Sequence, residues 1–390
     1  MFASTKQIAL LVMLAVTWVA PNTNHAQLSE NEVVQHLSPK TFMVVNFNIE
    51  AITAGLGENN EVLQKYRARD AASSLDNPNA KQILMFLTDD KLDPAAPFNI
   101  PFATLIRYPD TIDQEFYLAA KNKRNSEWET FAPQSLDGQD LVVGQYSEHI
   151  GDMQIPNNAY FFPVEDMVVE GTLPMMKAML VNQTEGNEGP EIASNVNFEA
   201  EFHCIFEDGS KLMSVPMLST VFEQMLGTAS LPIPSGGDPV EIIEAMRRLE
   251  VLFDSNETPT LKATIEFSTE KAAKQVEELI QVGMQAAPAL IMMAEAEIRK
   301  DANITKEDLQ QMEPVIELAK AAIKELKIER NESTIQIELA AVDGLKKFPA
   351  DLMTILMIQE MEIDRITAEL EGAGEPELQF EAELQDDGVR

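Results

Sequence analysis

The chain has 390 residues, enough for two or three ordinary domains, and its 45% hydrophobic and 24% charged residues are typical of a globular protein with a buried core. Asp and Glu number 64 against 29 Lys and Arg, which gives a formal net charge of -35. This charge argues against a nucleic-acid binder, because phosphate contacts need clustered Lys and Arg, and it equally argues against docking on anionic lipid.

The N-terminal segment has the pattern of a signal peptide. Lys6 precedes an apolar run over residues 8–20, which is shorter than the roughly 20 residues that span a bilayer. We expect cleavage after Ala26, so that residues 1–26 are removed and the mature chain is exported, soluble, and periplasmic or extracellular. An uncleaved anchor is the alternative.

The N-terminal part of the mature chain alternates short apolar runs with turns. The segments predicted as strands are 41–50, 102–107, 115–119, 140–143, 160–162 and 167–170. The segment 61–74 is predicted helical, 81–87 is either helix or strand, and a helix starts near Pro174, since proline is tolerated in a first turn. The polar, Gly-containing stretch 181–190 is the predicted boundary between an N-terminal lobe, 27–185, and a C-terminal lobe, 186–390.

The C-terminal part begins with strict alternation over 195–207, which predicts a long strand. Further predicted elements are a helix over 239–248, a strand over 261–267, a helix capped by Ser268 that Pro288 ends or kinks, a helix after a capping box at Thr305 and Asp308, a hairpin over 326–339, a helix over 351–370 and a strand over 378–384. These elements predict an α+β fold with antiparallel sheets and helices packed on one face. Matching V-N-F-x-x-E patterns at 45–50 and 196–201 favour two pseudo-repeated lobes, with chance similarity as the alternative.

Side chains that could carry chemistry do not form a recognisable constellation. Cys204 is the sole cysteine and adjoins His203, but strand neighbours point to opposite faces and cannot act as nucleophile and base. The sequence lacks a zinc-binding spacing, a serine-hydrolase elbow and a phosphate loop. Two groups of oxygen-bearing side chains could bind a cation: Asp89, Asp90 and Asp93, and Asp301 with Asn303. Clusters of carboxylates are expected in so acidic a chain and do not by themselves indicate a metal site. We therefore assign no catalytic, cofactor-binding or metal-ligating residue, and no cofactor.

Methionine is abundant, with 20 residues, and Met353, Met357 and Met361 recur at helical spacing. The surrounding helix is apolar nearly all round, which favours buried core. An adaptable groove for an apolar ligand or partner helix and a copper-thioether site are the alternatives.

The segment 160–180 has an aromatic-rich strand, a Pro with an acidic turn, a strand ending in Val169-Glu-Gly-Thr172, and a Leu- and Met-rich helix. In this it resembles uncharacterised exported bacterial proteins, and segments 263–280 and 327–339 are similar to later parts of the same proteins. The resemblance implies bacterial export and repeated α+β lobes, and it brings no assigned activity and no functional residues.

The function expected from the sequence is that of a non-enzymatic structural or macromolecule-binding protein of the cell envelope. A carrier of an apolar small molecule or lipid is one alternative, and a carboxylate-metal hydrolase is another. The expected partner is a protein or another envelope component, with no nucleic acid and no membrane span after signal cleavage.

Overall fold

The structure is a computed structural model. It describes residues 37–38, 40–54, 56, 60–68, 80–88, 102–124, 128–136, 139–146, 158–185, 190–214, 239–255, 259–300, 306–340, 342, 344–351, 353, 354 and 357. The predicted signal peptide, the predicted last strand at 378–384 and most of the predicted helix at 351–370 lie outside these residues.

Twelve strands form a single antiparallel sheet in the described part of the chain. They are β1 (Thr41–Phe47), β2 (Gln82–Thr88), β3 (Phe102–Arg107), β4 (Trp128–Leu136), β5 (Gln139–Tyr146), β6 (Asn158–Val164), β7 (Met167–Thr172), β8 (Phe202–Glu207), β9 (Met246–Asp254), β10 (Thr260–Phe267), β11 (Lys327–Asn331) and β12 (Thr334–Ala340). The order across the sheet is β11-β12-β10-β9-β8-β1-β2-β3-β7-β6-β5-β4. The predicted α+β class with antiparallel strands is confirmed.

Among the described residues, nine α-helices with complete bounds connect or flank these strands, and residues 348–351, 353, 354 and 357 are also helical. The nine helices are α1 (Ile49–Ala54), α2 (Glu61–Ala68), α3 (Gln114–Arg124), α4 (Leu173–Glu185), α5 (Glu191–Ser194), α6 (Gly209–Ser214), α7 (Pro239–Glu244), α8 (Glu270–Ile298) and α9 (Lys306–Glu325). A short 3-10 turn, Leu345–Lys347, follows β12.

The sheet has two faces that differ in what covers them. We call the face that carries Val45, Cys204 and Phe253 the front face; α8 and α9 cover it in the C-terminal half, and α1 and α3 cover it in the N-terminal half. On the opposite, back face, α4 and α5 pack over the N-terminal half, where Val44 and Leu105 are fully buried. Helices of the described chain thus lie on one face of the C-terminal half, as predicted, and on both faces of the N-terminal half.

The centre of the sheet is the pairing of β1 with β8. Five residue pairs join these strands, from Met43 opposite Phe206 to Phe47 opposite Phe202. The sheet therefore continues past the predicted boundary at 181–190, because strands from both sides of it are hydrogen-bonded neighbours.

The segment before β8 is not the strand that the sequence predicted. Residues 195–201 are irregular, and only Phe202–Glu207 pairs as a strand. One contribution is local: Asn197 accepts hydrogen bonds from the backbone N–H groups of Glu199 and Ala200, so its side chain takes the place of strand partners. The two V-N-F-x-x-E segments accordingly do not share a strand context.

Three other predicted elements are corrected. Residues 115–119 belong to α3, where Asp113 accepts a hydrogen bond from the N–H of Phe116 and so caps the helix. The predicted helix over 239–248 ends at Glu244, because β9 begins at Met246 and pairs with β8 and β10. Pro288 does not end the helix that contains it, since α8 continues to Ile298.

The strand β11 is the last strand at one end of the described sheet. Its side chains are largely charged and exposed, including Lys327, Glu329 and Arg330. Arg330 also bonds Glu277 of α8, with 2.6 Å between Nε and Oε2. The charged side chains and the contact with α8 therefore disfavour the addition of a further strand at this edge.

Two glycines offer a matched test of the packing. A Cβ atom at Gly209 would lie 1.7 Å from the carbonyl oxygen of Ile243, whereas a Cβ atom at Gly283 would meet nothing within 4 Å. We expect Gly209→Ala to destabilise the protein by roughly 3 kcal/mol or more, because α6 and α7 must separate. Gly283→Ala should stabilise α8 by up to about 1 kcal/mol. Urea unfolding followed by circular dichroism measures both; equal midpoints for the two variants would contradict the packing of α6 against α7.

Candidate docking surface and buried polar groups

The adjacent residues His203 and Cys204 lie on opposite faces of β8, as predicted. Cys204 is buried on the front face opposite Val45, and burial raises the pKa of its thiol to about 12. The thiol therefore stays neutral and packs as core.

The ring of His203 is fixed on the back face through both nitrogens. Its Nδ1 accepts a hydrogen bond from the N–H of Asn197 at 2.7 Å, and its Nε2 lies 3.1 Å from Oε1 of Glu250. Because Nδ1 is an acceptor, Nε2 carries the proton and donates it to Glu250. Burial lowers the pKa of His203, which favours this neutral ring. Neither nitrogen is available to take a proton from a nucleophile.

Two amide side chains beside His203 hold the irregular segment 195–201 on the back face. Asn46 is fully buried and its Nδ2 donates to the carbonyl oxygens of Asn197 and Ala200, at 3.3 and 3.2 Å. Gln82 donates from Nε2 to Oδ1 of Asn46 at 2.7 Å and to the carbonyl oxygen of Phe198 at 3.1 Å. These bonds satisfy backbone carbonyls that a strand ladder would otherwise satisfy.

The segment 195–201 ends at a buried carboxyl group, that of Glu201. Glu201 is 2% exposed and Ser255 is 1% exposed. The hydroxyl and the backbone N–H of Ser255 both donate to the Glu201 carboxylate. Desolvation nevertheless raises the pKa of Glu201 to about 7, because burial disfavours the charged form more than these hydrogen bonds favour it. Both side chains are shielded from solvent, so they form a structural contact.

A second buried polar pair lies on the front face of the N-terminal half. The hydroxyl of Tyr117 donates to Oε2 of Glu170 at 3.0 Å, and the ring contacts Tyr108, Tyr160 and Phe162 edge to face. Desolvation is the main cause that raises the pKa of Tyr117 well above 10, so the phenol stays protonated.

The sequence offers two further candidate sites, a cation site of carboxylate side chains and the methionines at helical spacing, Met353, Met357 and Met361. Among the described residues, no three or more His, Cys, Asp or Glu side chains are placed to hold a metal ion. The acidic candidates Asp89, Asp90, Asp93, Asp301 and Asn303 lie outside those residues. Met357 is 1% exposed and packs with Val62, Leu63 and the half-buried Met353, as core side chains do, whereas Met361 also lies outside them.

The long helix α8 changes its surroundings along its length. Near its start, Ala272 and Ala273 are buried against Phe267 and Ile335 of the sheet. Its far end contacts α9, where Nζ of Lys320 lies 2.9 Å from Oε2 of Glu295. Between these contacts, one side of the helix faces solvent.

This solvent-facing side carries the exposed Gln281 and Gln285, followed by a run of exposed apolar residues. We call this run the apolar stripe; it comprises Pro288, Ala289, Leu290, Met292 and Met293. Leu290 is 46% exposed, Met292 61% and Met293 62%. Residues 281–294 contain no ionisable side chain, although a quarter of the whole chain is charged. By length and composition, Glu270–Ala296 is the one stretch of the described helices that could cross a membrane, and its most apolar window is not buried.

The size of the apolar stripe sets the strength of contact that it can support. Full burial of a Leu or Met side chain contributes about 1.5–3 kcal/mol, so covering three half-exposed side chains gains roughly 3 kcal/mol. That gain suits a reversible contact. The sequence analysis identified this apolar run and expected Pro288 to end or kink the helix. The absence of charge over 281–294 is the sequence signal for the exposed surface.

Comparison with known proteins adds little to this description. No family model and no curated protein matches the chain. A solved structure titled "Structure of crystal form I of TP0453" matches with 9% sequence identity and a TM-score of 0.36, covering 87% of this chain and 99% of that chain.

Burial of Glu201 predicts a pH-dependent stability. Its folded-state pKa of about 7 exceeds the ordinary value of 4.5, so its stabilising contribution is complete below pH 4.5 and is lost as the pH rises through 7. This pKa difference corresponds to roughly 3 kcal/mol. We expect Glu201→Gln to remove this loss, since an amide can accept from the Ser255 N–H and donate to its hydroxyl.

Urea unfolding of the two proteins between pH 4.5 and 8 measures the difference. Any contribution of His203 runs in the opposite direction and is common to both proteins. Glu199→Gln, an exposed change of the same charge in the same segment, is the control and should follow the wild type. Parallel curves for wild type and Glu201→Gln would show that Glu201 titrates normally.

The buried thiol predicts slow chemical modification. We expect Cys204 to react with a thiol reagent such as Ellman's reagent only after unfolding in urea, because it is both buried and neutral in the native protein. Absorbance at native and denaturing urea concentrations measures the reaction, and rapid stoichiometric labelling of native protein would contradict the placement of Cys204 in the core.

Proposed function

We propose that this chain is an exported, non-enzymatic protein of the cell envelope that binds another envelope component through the apolar stripe of α8. The observation that carries the proposal is the exposure of Leu290, Met292 and Met293 on a stretch without charge. Large apolar side chains grouped on a surface are typical of a binding site. The partner presents an uncharged, apolar surface, because the stripe offers no charge to pair with one.

The buried polar groups support a non-enzymatic role. His203, Glu201 and Tyr117 are each held by hydrogen bonds inside the protein and are at most 2% exposed. A catalytic acid, base or nucleophile must reach its substrate. These side chains instead position the segment 195–201 and the aromatic core.

The packing of α4 favours macromolecule binding over an apolar carrier. Its methionines Met175, Met176 and Met179 are at most 2% exposed and pack against the back face of the sheet. They fill the space between helix and sheet. Among the described residues, three of the exposed large apolar side chains lie together on α8, whereas Phe116 of α3 and Val164 of β6 are exposed elsewhere.

Fractionation of producing cells tests the proposal. We expect the wild-type chain to sediment with the envelope and the double variant Met292→Glu, Met293→Glu to shift to the soluble exported fraction, because two charges on the stripe oppose apolar contact. The control Asn331→Asp, Gln336→Glu adds the same charge at exposed positions of β11 and β12 and should behave as wild type.

Circular dichroism melting checks that all three proteins are folded. Equal distribution of the wild type and the stripe variant would overturn the proposal. The intact mass of the exported protein tests processing in the same fractions, and we expect a chain beginning at Gln27.

A further inference from the structure

We propose that the apolar stripe of α8 docks on a zwitterionic phospholipid surface, with the helix lying along the membrane. This inference rests on the proposed function and names its partner. It follows from the charges around the stripe, from the way α8 is attached to the sheet, and from the net charge of the chain.

Charged side chains of both signs flank the charge-free stretch 281–294, with Glu278 before it and Glu295 directly after it. In the direction of the helix start, the nearest exposed charged side chain is Lys274; beyond the other end, Arg299 and Lys300 are exposed. A lipid headgroup presents a phosphate beside an apolar interior, so cations at the ends and apolar side chains between them match its chemistry.

The acidic side chains near the stripe are less exposed and are paired within the protein. Glu277 is 24% exposed and bonds Arg330, and Glu295 is 20% exposed and bonds Lys320 at 2.9 Å. By contrast, Lys274 is 66% and Arg299 52% exposed. Both cations are ion-paired within the protein, since Lys274 lies 3.9 Å from Glu278 and Arg299 lies 2.8 Å from Glu295. Their side chains are nevertheless more than half exposed, so they can approach a headgroup phosphate beside the apolar residues.

The attachment of α8 favours a helix that lies on the membrane over one that crosses it. Ala272 and Ala273 are buried against the sheet, so the first turns of α8 stay with the protein. The charge-free stretch 281–294 is about 21 Å long at 1.5 Å per residue, which is shorter than a bilayer core of about 30 Å. A stretch of this length fits along the interface.

The net charge of -35 selects among apolar partners. A second copy of this chain would bring the same negative charge, and an anionic bilayer would repel the chain as a whole. A zwitterionic bilayer has no net charge and supplies apolar contact without that repulsion.

Flotation with phosphatidylcholine vesicles is the first test, using the full mature chain. We expect the wild type to float with the vesicles, Met292→Glu, Met293→Glu to lose at least tenfold in bound fraction, and Asn331→Asp, Gln336→Glu to match the wild type. Binding should change little between 0.05 and 0.5 M salt, because apolar contact dominates. Replacing part of the phosphatidylcholine with phosphatidylglycerol should weaken binding at low salt.

Site-specific fluorescence is the second test, and the buried Cys204 makes it selective. A polarity-sensitive nitrobenzoxadiazole group on Met293→Cys should shift to the blue and brighten with phosphatidylcholine vesicles. The same group on Gln336→Cys, an exposed position on the back face of β12, should not change. Equal response at both positions would overturn the assignment of the stripe as the contact.

The outcomes separate this inference from the proposed function. Absence of phosphatidylcholine binding, with envelope sedimentation still dependent on Met292 and Met293, overturns the lipid inference and leaves the proposed function standing. Stripe-dependent dimers in sedimentation velocity, without vesicle binding, overturn it in favour of a second copy. Binding only to anionic vesicles also overturns it, whereas envelope sedimentation independent of the stripe overturns the proposed function itself.

Discussion

The pairing of β1 with β8 is the contact on which the rest of the structure depends. It places a strand from the beginning of the described chain beside a strand from its middle, with Val45 opposite Cys204. Every strand on either side continues the ladder from this pair. Because the central strands are covered on both faces, their apolar side chains Val44 and Ile205 are fully buried, and this pairing anchors the core.

Buried polar side chains beside the β1–β8 pair supply hydrogen bonds to the backbone that leads into β8. The chain must cross the back face before it enters β8, and its irregular backbone there is buried. Asn46, Gln82 and His203 supply the hydrogen bonds that this backbone lacks. His203, which the sequence places next to Cys204, is thus used to hold the backbone that connects the two halves of the sheet.

Sequence patterns predicted the elements whose signals are local. Alternation identified β1 and β10, Pro174 marked the first turn of α4, and the capping box placed the start of α9. Sequence patterns failed where contacts with residues distant in the chain determine the local structure. The residues 115–119 look extended, yet Tyr117 belongs to a helix because its ring fits an aromatic cluster formed with Tyr160, far along the chain. The irregular path of 195–201 likewise depends on Asn46 and Gln82, which no local pattern connects to it.

The same distinction applies to the candidate docking surface. The sequence shows that residues 287–293 are apolar, but an apolar helix is ordinarily buried. Whether α8 is covered depends on where the sheet ends and on how far α9 reaches beside it. Exposure is therefore a property of the assembled fold. The sequence pattern identifies Leu290, Met292 and Met293 as apolar, and only the structure shows that their side chains are exposed.

The charged outer strand β11 has a consequence for how these molecules coexist at high concentration. In the described part of the chain, the sheet ends at β11 on one side and at β4 on the other. An unprotected sheet margin can recruit a strand from a neighbouring molecule and grow into a fibre. Lys327, Glu329 and Arg330 make that addition costly at one margin, since an incoming backbone would have to desolvate them. These charges thus disfavour polymerisation through the β11 margin when the protein is concentrated.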